Sequence, residues 1–325
     1  MSGRTFIIKI YYFIKPLLPR WFQLLVRHII AMRKRNLSHS IWPVHDGAGT
    51  PPIDWHGWPL QKRFALVLTH DVDTAKGYER IYDLFQLEKA MGLRSSFNFV
   101  PEKYNIDRRD LCEIKRQGFE VGVHGLKHDG KLFKNYKTFI ERAAKINMYL
   151  NEWKAQGFRA PCMHHNLEWM LALNIKYDAS TFDTDPFEPQ PDGVGTIFPF
   201  IVKGISGQHD YVELPYTLPQ DCTLFVILKE KNINIWKRKL DWIVENGGMA
   251  LVITHPDYMN FNEKKLAAGE YPACYYFDFL QYIIHSYHDQ FWHVLPGDIA
   301  SFWLNRAYQV RTREPVLAME PFQAA

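Results

Sequence analysis

The sequence predicts an α/β fold with a largely parallel sheet curled towards a barrel, and three observations carry that prediction. Short apolar runs alternate with helical patterns from about residue 60 to the end of the chain. Seven or eight of these runs read as strands, the number that closes a barrel. Several of the runs end in polar residues: His70, Asp71 and Asp73 after "LVLT", His124 after "VGV", Arg159 in "FRAP" and His255 after "LVIT". In a parallel barrel all those strand ends share one face, so ionisable side chains from four strands would converge there.

The elements follow in order. Residues 1–45 carry eight Lys/Arg and no Asp/Glu, leaving 31 of the 39 basic residues against all 35 acidic ones. This is a basic appendage on a mildly acidic body; a nucleic-acid binder would carry its basic stripe through the fold, and no nucleic-acid partner is expected. The start of the chain is apolar, but Lys9, Lys15, Pro16, Pro19, Arg20 and Arg27 interrupt it. No window reaches the roughly 18 uncharged apolar residues a spanning helix needs, and no small-residue cleavage site follows. Cys112, Cys162, Cys222 and Cys274 stand far apart with no CxxC pair, which fits a reducing compartment and a cytoplasmic location.

Within the first segment, 1–42, the apolar residues Phe22, Leu25, Val26, Ile29 and Ile30 recur at helical spacing beside Arg27, Arg33, Lys34 and Arg35. The pattern predicts a basic amphipathic helix over residues 20–35. It either packs on the body or on a partner chain, or lies peripherally at the inner face of the cytoplasmic membrane. Residues 43–59 are dense in Pro and Gly and read as a linker.

The main body, 60–305, then reads as strands from Phe64, Ser95, Phe119, Phe158, Ile175, Asp210, Met249 and Phe291, with helices over Ile81–Met91, Asp107–Arg116 and Ile233–Glu245. A further helix has the clearest stripe, built from Tyr136, Phe139, Ala143, Ile146, Leu150 and Trp153. Residues 306–325 lack periodicity and read as a tail.

The chemistry lies in a combination. A DxD pair or an HxxxH pair is common by itself, the first usually as surface polarity, the second by chance among 14 histidines. Together, Asp73, His124 and His128 offer two imidazoles and a carboxylate, a donor set that leaves a divalent ion with an open position. The succession "THDVD", "HGLKH", "FRAP", "LVITH" resembles the polysaccharide deacetylase (NodB-homology) family of carbohydrate esterases over roughly residues 64–296. The resemblance implies a distorted (β/α) barrel with about seven strands. It also implies metal-dependent hydrolysis of N-acetyl groups on amino sugars or glycans, with one divalent ion, zinc by preference.

By that resemblance Asp71 is the general base, Asp73, His124 and His128 are the metal ligands, Arg159 pairs with the base, and His255 protonates the leaving amine. The backbone N–H of Cys162 is the implied oxyanion donor. A protonated His255 calls for a carboxylate behind it, for which Asp183 is the first candidate and Asp178 the second. Three departures mark the substrate pocket as unusual: His70 before the base, Val72 between the two aspartates, and Cys162 after the proline. His164 and His165 could contact sugar, hold a second metal or serve the loop, while Trp55, Trp58 and Trp169 are candidates to stack on a sugar ring. The rival classes are a non-catalytic glycan-binding protein that keeps the metal site and an amidohydrolase of this fold acting on a non-sugar amide.

Overall fold

The computed structural model describes residues 19–204, 207–262 and 266–313, with the side chains of 307–313 excepted. The first helix, α1 (Arg20–Leu37), is followed by β1 (Phe64–Val72), α2 (Ala75–Tyr78), α3 (Ile81–Ala90), β2 (Ser96–Phe99), α4 (Arg108–Arg116), β3 (Glu120–His124), α5 (Tyr136–Glu152) and β4 (Gly157–Arg159). Then come α6 (Leu167–Met170), β5 (Tyr177–Asp178), β6 (Phe200–Val202), β7 (Tyr211–Glu213), α7 (Asn234–Asn246), β8 (Met249–Thr254), β9 (Met259–Asn260), β10 (Tyr271–Pro272), α8 (Cys274–Ser286), β11 (Phe291–His293) and α9 (Pro296–Arg313).

β1 is buried along its whole length, as expected of a strand with the barrel interior on one face and helices on the other. It pairs in parallel with β8 along one edge, and with β11 and then β2 along the other. The parallel ladder continues through β3, β4, β5 and β7, giving eight parallel strands in a curled sheet, β11 and β2 sharing one edge of β1, with β6 antiparallel on β7. Between β7 and β8 Thr217 and Leu218 bridge the gap, Leu218 donating its N–H to the Leu251 carbonyl (3.3 Å). Thr217 donates its N–H to the Leu251 carbonyl (3.2 Å) and its hydroxyl to that of Met249 (2.7 Å), and accepts from the Leu251 N–H (3.0 Å). The result is a distorted (β/α) barrel.

Helix ends follow local chemistry. Asp107 caps α4 by accepting from the Arg109 N–H, and Asn135 caps α5 by accepting from the Thr138 N–H. α5 buries Phe139, Ala143, Ile146 and Leu150 on the barrel, the stripe read from the sequence.

Two segments behave differently from expectation. The Pro/Gly-rich stretch 43–59 lies packed on the body: Ala48 and Trp58 are buried, Ala48 accepts from the Ile197 N–H (3.0 Å), and the Trp58 indole donates to the Gly247 carbonyl (2.8 Å). Its prolines and glycines shape turns along a surface, a role that local composition does not distinguish from a free linker. Likewise α9 runs through the expected boundary at residue 306. Arg306 lies over the Trp55 and Trp303 rings and donates to the carbonyls of Ile53 (2.9 Å) and Asp54 (2.7 Å). Residues 314–325 of the expected tail fall outside the described residues.

Candidate active site

Strand period two decides which side chains of β1 face inward. Thr69 and Asp71 both reach Arg159 of β4 across the barrel interior, with the Nη1 2.9 Å from the Thr69 hydroxyl and 3.0 Å from Asp71 Oδ1. His70, one residue out of phase, points into the helix layer. There Nε2 meets Glu88 of α3 (2.8 Å) and Nδ1 meets the Thr254 hydroxyl (2.7 Å). Glu88 also accepts from Ser95 (2.6 Å) and Tyr276 (2.6 Å), so the histidine that breaks the family pattern belongs to a buried, paired network behind the site.

Asp71 Oδ1 accepts a second bond from the amide of Asn98 on β2 (2.9 Å), a polar residue that stands out between Phe97 and Phe99 in a buried strand. Burial pushes the Asp71 carboxyl up, but Arg159, His124, His255 and the Asn98 bond together outweigh it and hold it below the usual carboxylate range. It is therefore an ionised, fixed carboxylate, the state a proton acceptor needs.

Asp73, two residues on, faces His124 and His128. Its Oδ1 lies 3.3 Å from His124 Nε2 and 3.0 Å from His128 Nε2. That oxygen is buried yet accepts no hydrogen bond of normal geometry. The reason lies in His124, whose Nδ1–H donates to the Arg159 carbonyl (3.0 Å), leaving Nε2 with a lone pair aimed at the carboxylate. His124 Nε2, His128 Nε2 and the Asp73 carboxylate oxygen thus face one point. Donors about 2.0–2.1 Å from a tetrahedral cation stand about 3.3 Å apart. The three residues fit a divalent metal ion.

The loop that closes this corner depends on backbone conformation. His128 has φ 52°, so the HxxxH pair is turned inward by a left-handed residue in a loop and not by a helix. Gly125 has φ 61°, and a Cβ there would come 2.5 Å from Pro161 Cδ, so only glycine lets the ligand loop pack on the "RAPC" turn. Asp257 accepts from the Asp73 N–H (2.9 Å) and from the Thr74 hydroxyl, fixing the end of β1.

His255 follows β8 and is buried. Its backbone N–H donates to Asp221 Oδ2 (2.8 Å) and its Nδ1 to Asp221 Oδ1 (2.6 Å), while Tyr271 donates its hydroxyl to Oδ2 (2.8 Å). Burial favours the neutral imidazole, but the charge and bond of Asp221, with Asp73 and Asp71 behind them, lift it to about 10. The carboxylate behind His255 is thus Asp221, in place of Asp183 or Asp178. Asp183 is held 2.5 Å from Lys239, both buried, and Asp178 is bonded to Ser180 and paired with Glu213. Asp221 escaped notice because the loop 214–220 separates it from β7, so it follows no apolar run directly.

Other candidates sort by position. Cys162 sits at φ 58° in the turn after Arg159. His164 lines a small cavity with His128, Phe133 and Arg142, and His165 Nδ1 donates to the Met163 carbonyl (2.9 Å). Neither joins a set of metal donors among the described residues. Trp169 packs on Phe133 and Phe139. Trp55 and Trp58 pack with Trp303, and Trp58 is tied to Gly247, which precedes β8, so both belong to the opposite end of the barrel.

The structure is thus a parallel barrel with Asp73, His124 and His128 gathered as a possible donor set, and with Asp71 and His255 buried beside them, at its C-terminal end. The sequence matches no family model and no curated protein. Among solved structures the chain is similar to a Mycobacterium smegmatis protein assigned as a polysaccharide deacetylase (17% identity, 79% of this chain and 96% of that one, TM-score 0.59). It is similar as well to the allantoinase Puue (16%, 81% and 98%, 0.61) and to a Pseudomonas aeruginosa PAO1 protein assigned as a polysaccharide deacetylase (15%, 76% and 93%, 0.57). The chain has the NodB-homology fold of the polysaccharide deacetylases.

Proposed function

We propose that the protein is a metal-dependent deacetylase that removes N-acetyl groups from amino sugars of a cell-surface glycan, O-antigen or exopolysaccharide, during its biosynthesis on the cytoplasmic side. The observation that carries this reading is the pairing of two oppositely tuned groups beside one donor set: Asp71, held ionised by Arg159 and Asn98, and His255, held protonated by Asp221. Binding alone needs neither, which weighs against a non-catalytic glycan-binding protein. The cytoplasmic assignment rests on the four dispersed cysteines, none of which forms a disulfide.

Asp73, His124 and His128 would hold the cation, zinc in our reading, which supplies Lewis acidity that acidifies water and polarises the acyl oxygen. Asp71 takes a proton from the attacking water as oxygen adds to the acetamide carbon. Arg159 and Asn98 both hold Oδ1, which leaves Oδ2 to receive that proton. The Cys162 N–H serves as a donor to the tetrahedral oxyanion. His255 then gives its proton to the nitrogen as the C–N bond breaks, so the products are acetate and a free amine. Asp221 keeps the imidazolium oriented and charged between turnovers.

The likeness to an allantoinase supports a second reading, hydrolysis of a non-sugar amide by the same residues, because the base and acid recognise the amide and not what carries it. Incubating the metal-loaded protein with N-acetylated sugars, oligosaccharides and lipid-linked glycans, and with allantoin, while measuring acetate release from the first group and ring opening of allantoin to the free carboxylate, separates the two. Acetate release from the sugars that disappears in Asp71→Asn supports the deacetylase; turnover of allantoin alone overturns it.

A further inference from the structure

We infer that α1 is a docking face for an anionic lipid bilayer that turns the catalytic end of the barrel towards the membrane, so that the substrate is a membrane-anchored glycan. The substrate part of the inference rests on the deacetylase reading; the docking part does not.

Among the described residues, helix α1 meets the body along one stripe and through Lys34 at its edge. Leu24 and Ala31 are buried, His28 Nδ1 meets the Ile227 carbonyl (2.8 Å), and Arg35 pairs with Glu230 (2.5 Å). Positions 24, 28, 31 and 35 lie along one stripe of a 3.6-residue helix. The opposite stripe is apolar and faces outward: Phe22, Leu25, Ile29, Ile30 and Leu37 are exposed, at 60% for Ile29, 53% for Ile30 and 77% for Leu37. An ordinary packed helix would have the reverse arrangement, and a run of this kind marks an interaction surface.

Charge selects the occupant. α1 contains Arg20, Arg27, Arg33, Lys34 and Arg35 and no Asp or Glu. Lys34 and Arg35 are engaged with the body, through the Pro186 carbonyl and Glu230, whereas Arg20, Arg27 and Arg33 are exposed beside or within the apolar stripe. Apolar side chains flanked by cations, with no anion among them, complement anionic headgroups over acyl chains. No described helix is long and apolar enough to cross a membrane, so the contact is peripheral.

The attachment points set the orientation. Pro186 follows β5, Ile227 and Glu230 follow β7, and Gly269, where a Cβ would lie 3.6 Å from Leu24, follows β8. All three loops leave the C-terminal ends of barrel strands, the end that carries Asp71, Asp73, His124 and His255. The Ile227 loop begins at Asp221, the carboxylate behind His255. A bilayer against the outer stripe therefore lies beside the site and not at the far end of the barrel.

The test uses the full chain and vesicles of phosphatidylglycerol and phosphatidylethanolamine, with pure phosphatidylcholine as control, at low salt. Wild type should co-sediment with the anionic vesicles, and Ile29→Glu combined with Ile30→Glu should lower that binding at least tenfold with unchanged melting temperature and metal content. Three results overturn docking: no sedimentation of wild type, full binding by the double variant, or a wild-type dimer that the double variant turns into a monomer, which would make a second copy the occupant. In the second arm, acetate release is measured from N-acetylglucosamine carried on a lipid in those vesicles and from a soluble N-acetylglucosamine oligomer. The double variant should lose rate at least fivefold on the first and keep it on the second; equal rates on both overturn the membrane-anchored substrate. Absence of acetate from either substrate with intact vesicle binding would refute the deacetylase reading while leaving the docking face standing.

Discussion

Asp221→Asn removes a single charge from the pair that keeps His255 protonated, and its consequences can be worked from the structure. Lifting the imidazole from its ordinary 6.5 to about 10 favours the imidazolium by about 5 kcal/mol at about 1.4 kcal/mol per pH unit. Asp221 is the largest contributor opposing burial, which alone would drive the group the other way. Without that charge only Asp73 and Asp71 oppose burial, so the imidazole should titrate well below its wild-type value and fewer molecules at pH 8 should hold the proton destined for the leaving nitrogen. Turnover of an amide at pH 8 should fall, by up to about a hundred- to ten-thousand-fold if the acid is lost altogether, and the alkaline limb of the pH profile should move to lower pH. The sign for stability follows as well: a raised folded value contributes stability in full below about 6.5, and that contribution is lost as pH rises through about 10. Asparagine can still accept from His255 Nδ1, but its amide group would face the His255 N–H that Asp221 Oδ2 now accepts from, at a cost of about 1–3 kcal/mol. The decisive assay is the NMR titration of the His255 ring in wild type and variant, read beside kcat/KM against pH and metal content. Matching titrations in the two proteins would refute the relay.

His124→Ala and His128→Ala should each lose bound metal after mild purification, measured by elemental analysis; metal content equal to wild type would remove them from the ligand set. Asp71→Asn should keep the metal and lose about two to four orders of magnitude in acetate release, and an unchanged rate would exclude Asp71 as the base. Glu188→Gln probes a buried carboxyl pair, Glu188 with Asp185, that lies behind the site and close enough to feel the charge of His255. Burial and the charge of Asp185 lift Glu188 to about 8, so the folded chain holds a proton the unfolded chain releases, and stability falls as pH rises from about 4.5 to 8. Glutamine can still accept from Tyr216 (2.8 Å) and Gln220 (2.5 Å), so melting at pH 8 should show a gain about 3–4 kcal/mol larger than at pH 5; an equal difference at both pH values would show that Glu188 is not held protonated.

By itself the sequence determined the features that local periodicity encodes. The apolar run from Phe64 identified β1 and its polar end, whereas the expectation that His70 shapes the substrate pocket failed, because the strand's two-residue repeat puts Asp71 inside the barrel and sends His70 out to Glu88. The stripe from Phe139 to Leu150 located α5 and its buried face, while Tyr136, expected at its start, is exposed. The spacing of Asp73, His124 and His128 was enough to nominate a donor set, because such a set consists of residue types at strand ends. Tertiary structure decided everything that depends on which distant segments meet. Asp221 and not Asp183 stands behind His255; Lys239 pairs with Asp183, and no sign of the true pairing shows in the sequence because Asp221 and its partner are 34 positions apart with two elements between them. The Pro/Gly stretch became a packed strap, because Ile197 and Gly247 offer partners no local window contains. The basic helix at the start of the chain turned its apolar stripe outward. Helical period tells which residues share a face but not what that face will meet, since burial is a property of the whole fold and is fixed only when the chain closes on itself.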